Sequence, residues 1–317
     1  MARIDTLCSR LVSPPTFLIL SALVSCGWTL ESRAADDLPD PLSVVAHVAE
    51  RLAAYYERAQ RLICSERSTV TPIDEHWTVP GFARTVESEL RVDIDAADGD
   101  ALPEPRVRRR VLKVNGREPR ERDATGRAGC TDPPPSATEP LAFLLPSNRD
   151  LYRFTAVRRV RERDRPALVI EFTSPRRGNP QLVEDELGHD DCFDWKGPLA
   201  VTGRLWVDAE THAVLRLEQH LAGPTDVRVP TELQRNYGFP LWLTIDRDDL
   251  WVSFEEVAFT GPAEVLLLPK SIESRTIVRS GLQSTRRTQV FSDYRRFLTG
   301  GKVIRTRFSG RESPPSR

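Results

Sequence analysis

Apolar positions along this chain change their spacing after about the first sixty residues. Between Leu42 and Arg61 the residues Val44, Val45, Val48, Leu52 and Tyr55 or Tyr56 recur three to four apart, which predicts a helix with one apolar face. Asp40-Pro41 supplies its start, an acidic cap followed by a proline whose missing N–H costs nothing in a first turn. From Leu62 the spacing falls to two. Leu62, Cys64 and the run Ser-Thr-Val-Thr up to Pro72, then Val86 to Ile94, alternate with polar residues as strands of a half-buried sheet do.

The same alternation continues downstream with clear turns. Asn115-Gly116 predicts a hairpin over Val107 to Asp123, because both central residues of a type I′ turn need positive φ. Ala124 to Pro140, with Gly126, Gly129 and Pro133-Pro134-Pro135, reads as a surface loop, and Glu139 to Leu145 as a short second helix. Tyr152 to Arg161 and Ala167 to Phe172 flank a turn at Arg163 to Pro166. Gly203 to Val207 and Val214 to His220 flank Asp208 to Thr211, with Leu215 and Leu217 expected on the buried face of the pair. Trp251 to Phe259, Leu266 to Val278 and Leu282 to Phe297 complete about nine or ten strands. No strand–helix alternation occurs, so a parallel sheet is disfavoured and the class is α+β, mainly antiparallel.

The first 34 residues read differently. Arg3 and Arg10 precede an uncharged run from Leu11 to Leu30 that is apolar from Phe17, and Ser32 and Ala34 provide small residues before Ala35. This is the layout of a cleaved export signal, and its apolar stretch falls short of the ~20 residues that span a bilayer. Cleavage after Ala34 gives a periplasmic or secreted chain. Leu23-Val24-Ser25-Cys26 resembles a lipobox, and Cys26 is the candidate lipidation residue if the chain is instead lipid-anchored. The expected organisation is a signal at 1–34, one curved-sheet domain at 35–300 and a polar tail at 301–317. Lys plus Arg number 45 and Asp plus Glu 46, so the near-neutral chain has no field to draw nucleic acid.

Five cysteines are present. Cys8 and Cys26 fall in the signal, leaving Cys64, Cys130 and Cys192 for an oxidising compartment, where one disulfide and one free thiol are expected. Three pairings are open, and Cys64 to Cys192 is favoured because Cys130 lies beside the proline-rich loop. No Cys-x-x-Cys occurs, which argues against a zinc ribbon or a thioredoxin-like site.

Three stretches carry a family resemblance: Val201-Thr202-Gly203-Arg204-Leu205-Trp206-Val207-Asp208 with Val214-Leu215-Arg216-Leu217-Glu218, then Leu268-Pro269-Lys270-Ser271, and Phe291-Ser292-Asp293-Tyr294-Arg295-Arg296-Phe297. They resemble exported bacterial proteins of the LolA/LolB-like lipoprotein-carrier superfamily, over Asp40 to Thr299. The resemblance implies a half-barrel, a strongly curved antiparallel sheet plugged by helices, with acyl chains held on its concave side. The expected architecture therefore lays the Leu42 to Arg61 helix against that concave face. A cavity of at least ~300 Å³ beside Val44, Val48 and Leu52 would mark a ligand site.

Catalytic signals are weak. Glu184-Asp185-Glu186 with His189-Asp190-Asp191-Cys192 and Asp194 fits neither an EF-hand nor His-Glu-x-x-His and reads as a solvated acidic loop. His47, His76, His212 and His220 are scattered, and no Gly-x-Ser-x-Gly elbow accompanies them. No catalytic residue, cofactor or metal is expected. Trp206, Trp242 and Trp251 are the candidate residues lining an apolar ligand site, beside Trp195, Tyr237 and Phe239. The expected function is a noncatalytic envelope carrier or binding protein for a lipid or other apolar ligand. The alternative is an interaction or structural protein whose concavity its own side chains fill.

Overall fold

The structure, a computed structural model, describes residues 38–58, 62–74, 81–94, 105–121, 140–174, 178–184, 192–260, 263–279 and 282–296. The segment read as an export signal, with Cys26, the proline-rich stretch expected as a loop, Cys130 and the segment expected as a C-terminal tail lie outside the described residues.

Helix α1 (Pro41–Arg58) begins where the spacing places it. The Ser43 N–H donates to Asp40 Oδ2 at 2.9 Å and the Val44 N–H to the Asp40 carbonyl at 3.1 Å, so the aspartate side chain satisfies one otherwise orphaned donor of the first turn while its carbonyl accepts the first helical bond. Val44, Val45, Val48, Ala49 and Leu52 are buried, all on the stripe that faces the sheet.

Thirteen strands follow. They are β1 (Leu62–Ile73), β2 (Arg84–Ile94), β3 (Pro105–Val114), β4 (Arg153–Glu162), β5 (Arg165–Thr173), β6 (Gln181–Glu184), β7 (Phe193–Lys196), β8 (Val201–Asp208), β9 (Val214–Leu221), β10 (Thr225–Arg228), β11 (Trp242–Thr260), β12 (Ala263–Arg279) and β13 (Ser284–Arg296). A 3₁₀ turn at Ala142–Leu144 leads into α2 (Pro146–Arg149), and α3 (Thr231–Tyr237) precedes β11. The main path runs β3-β2-β1-β13-β12-β11-β9-β8-β5-β4 and is unclosed, and β10, β6 and β7 branch from β11. Pairing is antiparallel throughout the path; a parallel bridge, Arg228 to Gln181, joins β10 to β6.

The turns explain most of this register. In β4–β5, Arg163 and Asp164 both have positive φ and make a two-residue connection. In β8–β9 the Asp208 carboxylate closes the turn: Oδ1 accepts the Glu210 N–H at 3.1 Å, the Thr211 N–H at 2.8 Å and the Thr211 hydroxyl at 2.9 Å, and Oδ2 accepts Arg165 Nε at 2.8 Å. Burial raises the Asp208 carboxyl pKa, but these bonds and Arg165 outweigh it and hold the group below its ordinary value. Leu205 and Leu217 then face each other, fully buried. A bulge between Trp206 and Val207 pairs Val207 with Val214, so Val214 rather than Leu215 joins Leu217 in the main core. At Gly203 an added Cβ would meet the Phe172 ring and the Glu218 carbonyl at 2.3 Å each, so only glycine lets that ring lie across the strand.

Two expectations are corrected. Asn115 and Gly116 adopt positive φ, but the turn closes on a bridge between Val114 and Arg117 with no return strand among the described residues; β3 pairs with β2. The segment after Arg117 contains Glu118-Pro119, whose proline cannot donate to a ladder. The acidic run Glu184 to Asp194, expected as a loop, starts on β6 and ends on β7. With β10, α3 and the start of β11 these strands enclose a satellite core of Leu182, Val227, Val229, Leu233, Leu243 and Ile245.

Candidate functional site

The inner face of the sheet, the one α1 covers, divides into two regions. Under α1 the core is continuous: Val45, Leu144, Ile170, Leu205, Val207 and Leu217 have no exposed surface. The space remaining beside the helix, among Val48, Leu52, Tyr55, Val214, Phe254 and Leu266, is about 50 Å³, room for one or two waters at the ~30 Å³ each occupies in the liquid. The expected cavity beside Val48 and Leu52 is therefore filled.

A larger cavity of about 390 Å³ opens farther along the same face, toward the β3 edge. Gln219 on β9 and Arg109 on β3 both line it, although six strand-to-strand steps separate them along the sheet. A flat sheet would hold them ~29 Å apart at ~4.8 Å per step. A single small cavity reaches both, so the sheet curves around it. Leu90, Phe143, Tyr152, Leu250, Ile272 and Phe291 give apolar walls, and Glu66, Arg109, Gln219, Ser274, Arg287 and Gln289 give polar groups.

The polar side is built from strand parity. Cys64, Glu66, Ser68 and Val70 alternate on β1 and all are buried, as are Val86, Ser88 and Leu90 on β2. Three inward positions of this stripe are thus taken by a carboxylate and two hydroxyls, Glu66, Ser68 and Ser88. The Glu66 side chain has no exposed surface and that of Arg109 only 10%. Arg109 Nε donates to Glu66 Oε2 at 2.8 Å and Nη2 to Oε1 at 3.2 Å, and Gln289 Nε2 donates to Oε1 at 2.7 Å. The fork geometry and the third donor offset the desolvation of this buried pair. The Ser68 and Ser88 hydroxyls beside it are buried without a hydrogen-bond partner.

Cys64 sits at the same end as a free, buried thiol. Burial, with Glu66 adding and Arg109 opposing, pushes its pKa up to about 12, so it is a packing residue and not a nucleophile. This overturns the Cys64 to Cys192 pairing: Cys192 is disulfide-bonded, and its partner lies outside the described residues.

The tryptophans do not line either cavity. Trp206 and Trp251 alternate away from the core residues of β8 and β11, and Trp242 is 48% exposed at the start of β11. Arg216 stacks on Trp206 at 4.6 Å and Arg275 on Trp251 at 5.0 Å. Tyr237 and Phe239 pack edge-on with Phe193 over the satellite core. Strand parity presents Trp206, Trp242 and Trp251, expected as ligand-lining residues, to the outer side of the sheet.

The histidines fall into two places. The His47 and His212 rings stack at 4.8 Å where α1 meets the β8–β9 turn, and His220 Nδ1 lies 2.9 Å from Asp249 Oδ1 on the outer face. Among the described residues no group of three or more His, Cys, Asp or Glu is placed to hold a metal, and no helix is long and apolar enough to cross a membrane. Of the acidic run, Glu184 accepts the Tyr237 hydroxyl at 3.3 Å and Asp194 caps the Trp195 N–H at 2.8 Å.

No sequence-family model matches the chain, and no curated protein sequence does. Solved structures of related architecture do. The chain is similar to a DUF1329 family protein from Desulfovibrio piger, at 9% identity, with 82% of this chain and 95% of that one covered and a TM-score of 0.37. It is similar to a putative outer membrane lipoprotein-sorting protein domain from Vibrio parahaemolyticus, at 9% identity, 82% and 94% coverage and a TM-score of 0.35. A LolA superfamily protein from Nitrosomonas europaea matches at 9% identity, 80% and 94% coverage and a TM-score of 0.30. The sheet of this chain curves around the cavity and stays unclosed.

Sequence reasoning missed Glu66, Arg109 and Gln289. The signal that locates the first is a charged residue at inward parity between Cys64 and Val70; Arg109 and Gln289 lie 43 and 223 residues away from it, and no local pattern connects them.

Proposed function

We propose that this is an exported, noncatalytic binding or carrier protein that holds an amphipathic, lipid-like ligand in the cavity near the β3 edge. The observation that carries this reading is the cavity itself, about 390 Å³ with apolar walls and a buried polar side. That size lies within the ~300 to 1,000 Å³ typical of small-ligand sites, where apolar walls supply affinity and a few polar groups fix orientation. The N-terminal pattern supports action in the cell envelope, either as a released protein after cleavage at Ala34 or anchored through Cys26.

The packed region under α1 favours the second reading, an interaction protein without a small ligand. One experiment separates the two. The apolar reporter N-phenylnaphthylamine is titrated into the mature protein and into Ile272→Trp, a substitution that fills the cavity while the fold is monitored by circular dichroism. Binding to the mature protein and its loss in the folded variant support the carrier reading. Absence of binding, or binding indifferent to Ile272→Trp, supports the interaction protein.

A further inference from the structure

The cavity's polar groups are mostly hydrogen-bond donors, and their layout selects a head group. Gln219, Leu250, Ser274 and Arg287 form one continuous cross-strand row over β9, β11, β12 and β13, through the pairs Gln219 to Leu250, Leu250 to Ser274 and Ser274 to Arg287. All four line the cavity. Among the described residues neither Gln219 nor Ser274 has a side-chain hydrogen-bond partner. Glu66 lines the same cavity and is the only acidic residue among its described lining residues, and both of its oxygens already accept bonds from Arg109 and Gln289. Tyr152 adds a phenol on the apolar side.

From this geometry we infer that the cavity takes an anionic amphiphile, its carboxylate or phosphate seated on the Gln219–Ser274–Arg287 row and its hydrocarbon against Leu250, Ile272, Phe291 and Phe143. The inference rests on the amphiphile reading above. An anionic head finds an amide, a hydroxyl and a guanidinium, and a charge-assisted bond is about twice as strong as a neutral one. A neutral head gains less. A cationic head would be desolvated beside Arg109 and Arg287, with the one carboxylate already engaged, which is strongly unfavourable. Burial raises the Tyr152 pKa, which keeps its hydroxyl a donor. The volume accommodates roughly a dozen heavy atoms at ~30 Å³ each, so ten-carbon amphiphiles are matched probes.

The test is calorimetric titration of the mature protein with decanoate, decyl phosphate, 1-decanol and decyltrimethylammonium at neutral pH. The expected result is an anion bound about ten-fold or more tighter than decanol, the margin of one charge-assisted hydrogen bond, with decyltrimethylammonium weakest. Preference for decanoate over decyl phosphate identifies a carboxylate as the natural head, and the reverse a phosphate. In Arg287→Gln the anion should lose its advantage while decanol binds as before; the double variant Gln219→Leu with Ser274→Ala probes the same row if Arg287→Gln does not fold. Decanol binding as tightly as the anions, or an anion advantage untouched in both variants, overturns the inference and leaves the amphiphile reading standing. If none of the four binds, the amphiphile reading itself has failed.

Discussion

The two ends of one sheet face have opposite interiors. Beneath α1, strands β5, β8 and β9 present an unbroken apolar stripe, and the helix and the Leu141 to Leu145 turn close over it until almost no space remains. Toward β1, β2 and β3 the corresponding stripe is interrupted by Glu66, Ser68 and Ser88, the buried apolar cluster shrinks to Cys64, Leu90 and Phe291, and a cavity stays open. The difference teaches that a curved sheet does not by itself make a pocket. A stripe that is apolar at every inward position attracts a cover and fills. One that carries a compensated charge pair cannot be sealed by hydrocarbon without stranding polar groups, so room is left that an amphiphile suits.

The largest expected effect attacks the interruption. Glu66→Ala leaves the nearly buried Arg109 guanidinium without its fork partner and should cost about 3–5 kcal/mol in chemical denaturation. The double variant Glu66→Leu with Arg109→Met should recover most of that loss, because removing both charges removes the desolvation they share. If the single variant is as stable as the parent, the pair is not what organises this end.

A matched truncation sharpens the contrast next. Leu205→Ala in the filled region should fall near the upper end of the 2–5 kcal/mol seen for leucine truncation, since Leu205 is fully buried among side chains that cannot collapse. Leu90→Ala, on a wall that already borders open space, should fall near the lower end. Equal losses in urea melts would mean that the two ends are packed alike.

The smallest effect lies at Asp248, two residues before Leu250 on β11 and at the same inward parity. Burial raises the Asp248 carboxyl from 3.8 to about 6, the Thr276 hydroxyl opposing and Asp249 and Asp194 adding to the rise. The folded chain therefore binds this proton more tightly than the unfolded one, and stability from this group falls as pH rises from about 4 to 6. Asp248→Asn should raise stability at pH 7 by on the order of 1 kcal/mol and change little at pH 3.5. A drop in Tm at pH 7 would contradict it.

The fold was more legible than the site. The helix at Asp40-Pro41, the two-residue turn at Arg163-Asp164 and the Asp208 turn are local patterns, and each forms where its letters stand. Leu215 is buried as expected, but a bulge that leaves no mark in the sequence separates it from the Leu217 cluster. The missing return strand after Gly116 follows from which partner β3 takes, a non-local choice. The tryptophans drew attention as large apolar residues, yet their strand parity set them outside. Glu66 and Arg109 lay in plain strand sequence, but their meaning depends on a pairing across β1, β2 and β3 that only the assembled sheet provides.

Methyl-resolved NMR of the mature protein titrated with decanoate tests the contrast most directly. The account predicts shifts confined to Leu90, Leu250 and Ile272, with Val45, Leu205 and Leu217 unmoved. Shifts centred on the methyls beneath α1, or none anywhere, would contradict it.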